Sequence, residues 1–160
     1  MRRLALAAAF ALSACKDVSS FDTHDDHYEG TVVASDFVRA GVDQGTRLCL
    51  TLNTDRLEQS PGVITSSDHR FNGTALRPIP QAFHDPISTL AFGDGRARNL
   101  LYVASAAGGD VTVIVSLMQG GDVEVRTLRG APGGAIDAGS TAENVFGVFE
   151  LTRTRGTCTF

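Results

Sequence analysis

Two histidines and two aspartates occupy positions 24 to 27, forming a dense group of potential metal ligands. Imidazole nitrogens and carboxylate oxygens suit zinc, nickel or copper, so His24, Asp25, Asp26 and His27 are candidate metal ligands. They lie at the end of a polar stretch that we expect to be a flexible tether, and a tether has no outer shell of residues to orient them. We therefore interpret the group as a polar linker with only adventitious metal affinity, and we predict no cofactor.

Two more histidines have an aspartate beside them, in Asp68-His69-Arg70 and in His84-Asp85. A carboxylate can orient an imidazole for acid–base catalysis, but adjacent residues of an extended chain point to opposite faces. The chain also lacks a Gly-x-Ser-x-Gly nucleophile motif and a glycine-rich phosphate loop. The sequence therefore predicts surface loops at both histidines and a protein without enzymatic activity.

The first 14 residues have the pattern of a secretion signal. Met1-Arg2-Arg3 supplies positive charge, and an uninterrupted apolar run follows from Leu4 to Leu12. This run is too short for a membrane-spanning helix, which needs about 20 apolar residues. We predict that residues 1–14 are a signal peptide that is removed from the mature protein.

The signal ends in Leu12-Ser13-Ala14-Cys15, which resembles the lipobox of bacterial lipoproteins. The resemblance implies that the Cys15 thiol receives a diacylglycerol, that the leader is cut before this residue and that the new amino group is acylated. Several acyl chains anchor a protein stably, whereas a single chain binds a membrane only marginally. Because Lys16 resembles the residue that follows the cysteine in outer-membrane lipoproteins, we expect an anchor in the outer membrane, facing the periplasm or the cell surface.

With Cys15 assigned to the lipid, Cys49 and Cys158 are the remaining cysteines of the chain. They would lie in an oxidising compartment, so we predict that they form a disulfide, with two free thiols as the alternative. The bond would close a loop of 108 intervening residues and place the last strand near the second.

The composition sets the size and charge of the mature chain. Removal of the leader leaves 146 of the 160 residues and changes the formal net charge from −4 to −6, because Arg2 and Arg3 are lost. This length suits one domain with a core, and an acidic chain with scattered arginines has no basic surface for nucleic acid. We therefore expect a tether at residues 15–27, one domain at residues 28–160 and no nucleic-acid partner.

Beyond Tyr28 the apolar residues alternate with period two between frequent turn residues, a pattern typical of β-strands. It predicts an all-β fold, a single antiparallel β-sandwich or small β-barrel of about eight or nine strands. In the second strand, Leu48, Leu50 and Leu52 share one face and Cys49 points to the other. The predicted strands are Glu29–Val38, Arg47–Asn53, Gly62–Ser66, Phe71–Leu76, Ile87–Phe92, Leu100–Ala106, Val111–Met118, Val123–Leu128 and Val145–Thr152.

The turn between the seventh and eighth predicted strands is specific enough to give a register. A two-residue loop would put charged residues of the eighth strand on the apolar face. A three-residue loop, Gln119-Gly120-Gly121, instead pairs Leu117 with Val123 and gives its last glycine the left-handed conformation that such loops need. We predict this loop, with Glu124 and Arg126 on a solvent-exposed face.

Residues 86–115 resemble one blade of a YVTN-type β-propeller. They contain Phe92-Gly93-Asp94-Gly95-Arg96, then Leu101-Tyr102-Val103-Ala104 and Val111-Thr112-Val113-Ile114. A propeller needs at least four blades with repeats of about 40 residues, and no second copy of these strings occurs. We interpret the match as a strand–turn–strand pattern within the single domain.

Together these features predict a non-enzymatic lipoprotein, tethered to the membrane by its N-terminal lipid, that serves as a binding or assembly module of the envelope. An envelope protein is the expected partner. Two alternatives stay open, a β-barrel that binds a small ligand and a lipid-anchored hydrolase or metal-binding protein. The Gly- and Ala-rich segment 130–143 is either a crossover between distant strands or a flap over a site.

Overall fold

The described part of the chain is built from strands. A computed structural model describes residues 25–35, 42–79, 97–129, 145–156 and 160. Within these ranges the chain forms nine β-strands and no helix. The strands are β1 (Asp25–Ser35), β2 (Arg47–Asn53), β3 (Gly62–Ser66), β4 (Thr74–Ala75), β5 (Arg77–Pro78), β6 (Arg98–Ala106), β7 (Gly109–Leu117), β8 (Val123–Arg129) and β9 (Val145–Thr154).

All nine strands belong to one antiparallel sheet with the order β4-β3-β2-β1-β9-β8-β7-β6-β5. The two strands at its edges, β4 and β5, are separated along the chain by Leu76 alone. The Leu76 amide donates to the Gly62 carbonyl at 2.9 Å, on the β3 side, and the Ile79 amide donates to the Leu101 carbonyl at 3.1 Å, on the β6 side. The edges therefore meet, and the sheet curves into a nearly closed barrel.

The prediction of a single antiparallel all-β fold is confirmed. Of the two forms that the sequence left open, a sandwich and a barrel, the structure has the barrel. The predicted bounds of β2 and β3 agree with the structure. Strand β1 starts at Asp25, four residues before its predicted start, so the last residues of the expected tether belong to the barrel. The predicted strand Phe71–Leu76 is wrong in its first half, because residues 71–73 form bends. The predicted strand at 87–92 lies outside the described residues.

The barrel interior is filled with side chains. Because β4 and β5 are two halves of one kinked strand, eight strand positions surround the interior, which is just enough space for side chains or one small ligand. Leu48, Leu50 and Leu52 point inward, as predicted, and are fully buried. Each such side chain contributes about 1.5–3 kcal/mol of burial free energy. The core cluster also contains Tyr28, Val32, Val42, Leu57, Ile64, Phe71, Leu76, Tyr102, Ala104, Val111, Val113, Val115, Leu117, Val123, Val125, Phe149 and Leu151.

The outer face of β6, β7 and β8 is also buried. Leu101, Ile114 and Leu128 alternate with the inward residues of these strands, so they point away from the interior. They form a second hydrophobic cluster with Ile79, and both Ile114 and Leu128 have no exposed surface. Residues on this side of the barrel are thus shielded from water on both faces of the sheet.

The predicted β7–β8 turn is confirmed. Leu117 lies opposite Val123, and Gly120 and Gly121 have φ angles of 116° and 96°. The predicted exposure of Glu124 is wrong, since this residue is only 8% exposed. It lies on the buried outer face, where it accepts a hydrogen bond from Nε of Arg126 at 2.6 Å. Strand alternation assigned it to the outside correctly but could not show that the outside is covered here.

Candidate functional site

Asp26 and His27, the two candidate metal ligands whose side chains the structure describes, point to opposite faces of β1. Asp26 points into the barrel and is 5% exposed, whereas the next residue, His27, points outward. Nδ1 of His27 lies 3.0 Å from the Thr51 hydroxyl, on the neighbouring strand. Of the other two residues, His24 lies outside the described part and only the backbone of Asp25 is described. The alternation of a strand therefore separates the ligands that the sequence places side by side.

Asp26 belongs instead to a polar cluster at one end of the barrel. We call this the proximal end, where β1 begins at Asp25 and β9 ends at Thr154. Arg153 donates a hydrogen bond to Oδ1 of Asp26, and the Tyr28 hydroxyl lies 3.5 Å from Oδ2. Burial raises the pKa of Tyr28, and the Asp26 charge raises it further while Arg153 opposes the change. The cluster thus joins β1 to β9 through an ion pair between the buried Asp26 and the exposed Arg153.

His69 lies in the turn between β3 and β4, at the opposite end. It is exposed and has a left-handed backbone, with φ 59°. Its neighbour Asp68 accepts hydrogen bonds from the Ser66 hydroxyl at 2.6 Å and the Arg70 amide at 3.1 Å. The Asp68 carboxylate is thus used to build the turn, and the predicted surface loop at His69 agrees with the structure. His84 lies outside the described residues.

Cys49 forms a disulfide bond. The two other cysteines, Cys15 and Cys158, lie outside the described residues, so the lipid site and the pairing with Cys158 stay predictions. Phe160 supports that pairing because its ring packs on Arg47, with 4.7 Å between the guanidinium carbon and the ring centroid. The C-terminus thus reaches the strand that carries Cys49. Strand β9 itself pairs with β1, which separates it from β2.

A cleft of about 370 Å³ opens at the proximal end, beside the start of β6. We call it the Arg98 cleft. The β2–β3 loop forms one wall, the end of β5 another and the first residues of β6 the third. Both apolar and polar residues of the described part line it, namely Leu57, Glu58, Pro78, Ile79, Arg98, Asn99, Leu100, Leu101 and Tyr102.

Two residues of opposite charge and the buried Tyr102 are among the residues that line this cleft. Glu58 and Arg98 are exposed and form no ion pair with each other or with any other described residue. The Tyr102 hydroxyl donates to the Leu57 carbonyl at 3.3 Å, which holds the loop against β6. Burial raises the pKa of Tyr102, an effect that the Arg98 charge opposes and the Glu58 charge reinforces. The cleft can therefore bind a small ligand that carries both charge and apolar surface.

A second cleft, of about 290 Å³, lies between β8 and β9. Three carboxylates line it, those of Asp122, Glu124 and Glu150, but Glu124 is paired with Arg126. No group of three or more His, Cys, Asp or Glu side chains within the described ranges is arranged to hold a metal ion. Apart from these carboxylates, the described residues that line this cleft do not indicate a particular ligand.

Sequence reasoning missed the Arg98 cleft. Its charged residues, Glu58 and Arg98, are 40 positions apart, so no local sequence pattern connects them. No protein-family model, curated protein or solved structure matches this chain. None of the described residues belongs to a helix that is long and apolar enough to cross a membrane.

Proposed function

We propose that this protein is a non-enzymatic lipoprotein of the bacterial envelope, anchored through lipid on Cys15, whose barrel binds its ligand on the outside at the proximal end. The observation that carries the proposal is the signal ending in Leu12-Ser13-Ala14-Cys15, followed after a short polar stretch by the first barrel strand at Asp25. Ten residues of chain span at most about 35 Å. The lipid therefore keeps the proximal end of the barrel close to the membrane.

The packing of the barrel favours a binding site outside the interior. Inward positions carry large buried side chains that form one cluster, and such a barrel has room for those side chains or for a ligand. The large apolar residues that are exposed in the described part are Val33, Val63 and Phe160, which lie on separate elements. The Arg98 cleft is a better candidate because its walls are already formed.

The anchor is tested by mass spectrometry and membrane fractionation of the protein expressed in a Gram-negative host. We expect a mature chain that begins at Cys15 and carries the mass of three acyl chains, and that sediments with outer membranes. Cys15→Ala should lose the lipid mass, whereas Cys49→Ser should keep it. A wild-type chain without lipid contradicts the proposed anchoring.

The outer-membrane address is tested separately. In enterobacterial lipoproteins an aspartate after the cysteine retains the protein in the inner membrane, so Lys16→Asp should move this protein to inner-membrane fractions. Asp17→Lys is the matched control and should leave the distribution unchanged. If Lys16→Asp stays in the outer membrane, the residue does not direct sorting here.

A further inference from the structure

We propose that the Arg98 cleft binds a small zwitterion with an aliphatic side chain, a free amino acid or a dipeptide. This inference deepens the binding role proposed above and names the ligand class. It rests on two opposite charges, neither of them in an ion pair with a described residue, that line one cleft together with aliphatic side chains.

The two charges select a zwitterion over a simple ion. A ligand that carries only a carboxylate would pair with Arg98 but meet the negative charge of Glu58, and a ligand that carries only an ammonium would meet the opposite conflict. A zwitterion satisfies both, because the planar guanidinium binds a carboxylate through two parallel hydrogen bonds and the Glu58 carboxylate accepts from an ammonium. Since no N–O distance between Glu58 and Arg98 is short enough for an ion pair, a ligand does not have to break one.

The aliphatic lining of the cleft favours an apolar side chain. Leu57 and Ile79 both line the cleft and are largely buried, with 9% and 4% of their surface exposed. A polar side chain packed against these aliphatic residues would lose its water without gaining hydrogen-bond partners from them.

The size of the cleft limits the ligand. Ligand pockets commonly have volumes of about 300–1,000 Å³, and a volume near 370 Å³ is at the lower end of this range. An amino acid or a dipeptide fits such a space. The Arg98 cleft also lies at the proximal end, within reach of the membrane surface to which the lipid would bring the protein.

The test is calorimetric titration of the mature wild-type protein in detergent with leucyl-leucine. Matched probes are the N-acetylated dipeptide, its C-terminal amide and the form blocked at both ends. We expect saturable binding of leucyl-leucine and at least about tenfold weaker binding when either charge is blocked, since hydrogen bonds to charged groups are stronger than those between neutral groups. Tyrosine fluorescence is a second readout, because the chain has two tyrosines and no tryptophan.

Single substitutions assign the contacts. Arg98→Gln should weaken leucyl-leucine binding about tenfold or more and remove the preference for the free carboxylate, while Glu58→Gln should remove the preference for the free ammonium. Arg56→Gln and Asp55→Asn change charges in the same loop but do not line the cleft, and they should bind as the wild type does.

Two results would overturn the inference. One is equal affinity for the doubly blocked dipeptide, and the other is the absence of saturable binding up to the solubility limit of leucyl-leucine. Either result in a protein that mass spectrometry shows to be lipidated leaves the anchoring role intact. Dipeptide binding by a chain without lipid would instead support the cleft and refute the anchor.

Discussion

At the scale of single residues, Asp26 and Arg153 stabilise the barrel unequally because only one of them is buried. The Asp26 side chain is 5% exposed and that of Arg153 is 56% exposed. Loss of Arg153 leaves a buried carboxylate without its cation, whereas loss of Asp26 leaves a guanidinium that water can solvate. We expect Arg153→Met to lower the free energy of unfolding by about 2–3 kcal/mol and Asp26→Asn by about 1 kcal/mol.

Urea denaturation of both variants measures this difference. Equal losses of stability would mean that the Asp26 carboxylate is solvated in the folded protein, contrary to its burial.

The two tyrosines make the folded state sensitive to alkaline pH. In the unfolded chain a phenol loses its proton near pH 10, but burial raises the pKa of both Tyr28 and Tyr102 in the fold. Above about pH 10 the unfolded state therefore binds fewer protons than the folded state, and stability decreases as the pH rises. Tyr102→Phe should reduce this decrease more than Tyr28→Phe, because the pKa of Tyr102 is raised by the larger amount.

The measurement is urea unfolding at a series of pH values, with tyrosinate absorbance as a direct check. Because the chain has no tryptophan, absorbance near 295 nm should appear at about pH 10 only in the unfolded protein. Ionisation of both tyrosines near pH 10 in the folded protein would contradict their burial.

At the scale of the strands, Gly30 allows β1 to approach β9 closely. A Cβ atom at this position would overlap the backbone carbonyl of Glu150, and neither strand can move away without breaking the seam. We expect Gly30→Ala to cost about 3 kcal/mol or to prevent folding. Gly45→Ala is the control, because nothing lies within 4 Å of a Cβ atom there.

Thermal or urea unfolding checks this pair of variants. If Gly30→Ala has the stability of Gly45→Ala, β1 and β9 are not in the register that the structure shows.

At the scale of the whole molecule, the disulfide of Cys49 should link the C-terminus to β2. Strand β1 lies between β2 and β9, the strand that leads to the C-terminus. If Cys158 is its partner, the cross-link restricts the unfolded chain over 108 intervening residues, and its loss should cost about 2–4 kcal/mol. Cys49→Ser and Cys158→Ser should lower stability to the same extent, and the double variant should be no worse, because all three lack the same bond. Non-reducing peptide mapping identifies the pair directly.

Cys15→Ala distinguishes the alternatives for this disulfide. It should leave the unfolding free energy unchanged if Cys15 carries only lipid. A loss of stability equal to that of Cys49→Ser would mean that Cys15 and not Cys158 is bonded to Cys49.

Local pattern was enough to predict the strands but not the site. Leu48, Leu50 and Leu52 alternate with polar or small residues, and this spacing alone assigns them to one face of β2. The Arg98 cleft depends on a loop, the end of β5 and the start of β6 meeting in space, which no local spacing describes. The prediction that Glu124 is exposed is wrong for the same reason, because burial of an outer face depends on what packs over it.

The sequence by itself determined the all-β class, the inward face of each clear strand and the β7–β8 register, because these follow from a two-residue period and from the φ angles that glycine permits. Tertiary structure alone decided that the sheet closes. Closure depends on β9 pairing with β1 and on β4 and β5 meeting at Leu76, contacts that join distant residues. Side-chain alternation is the same in a sandwich and in a barrel, so only the long-range pairing separates them.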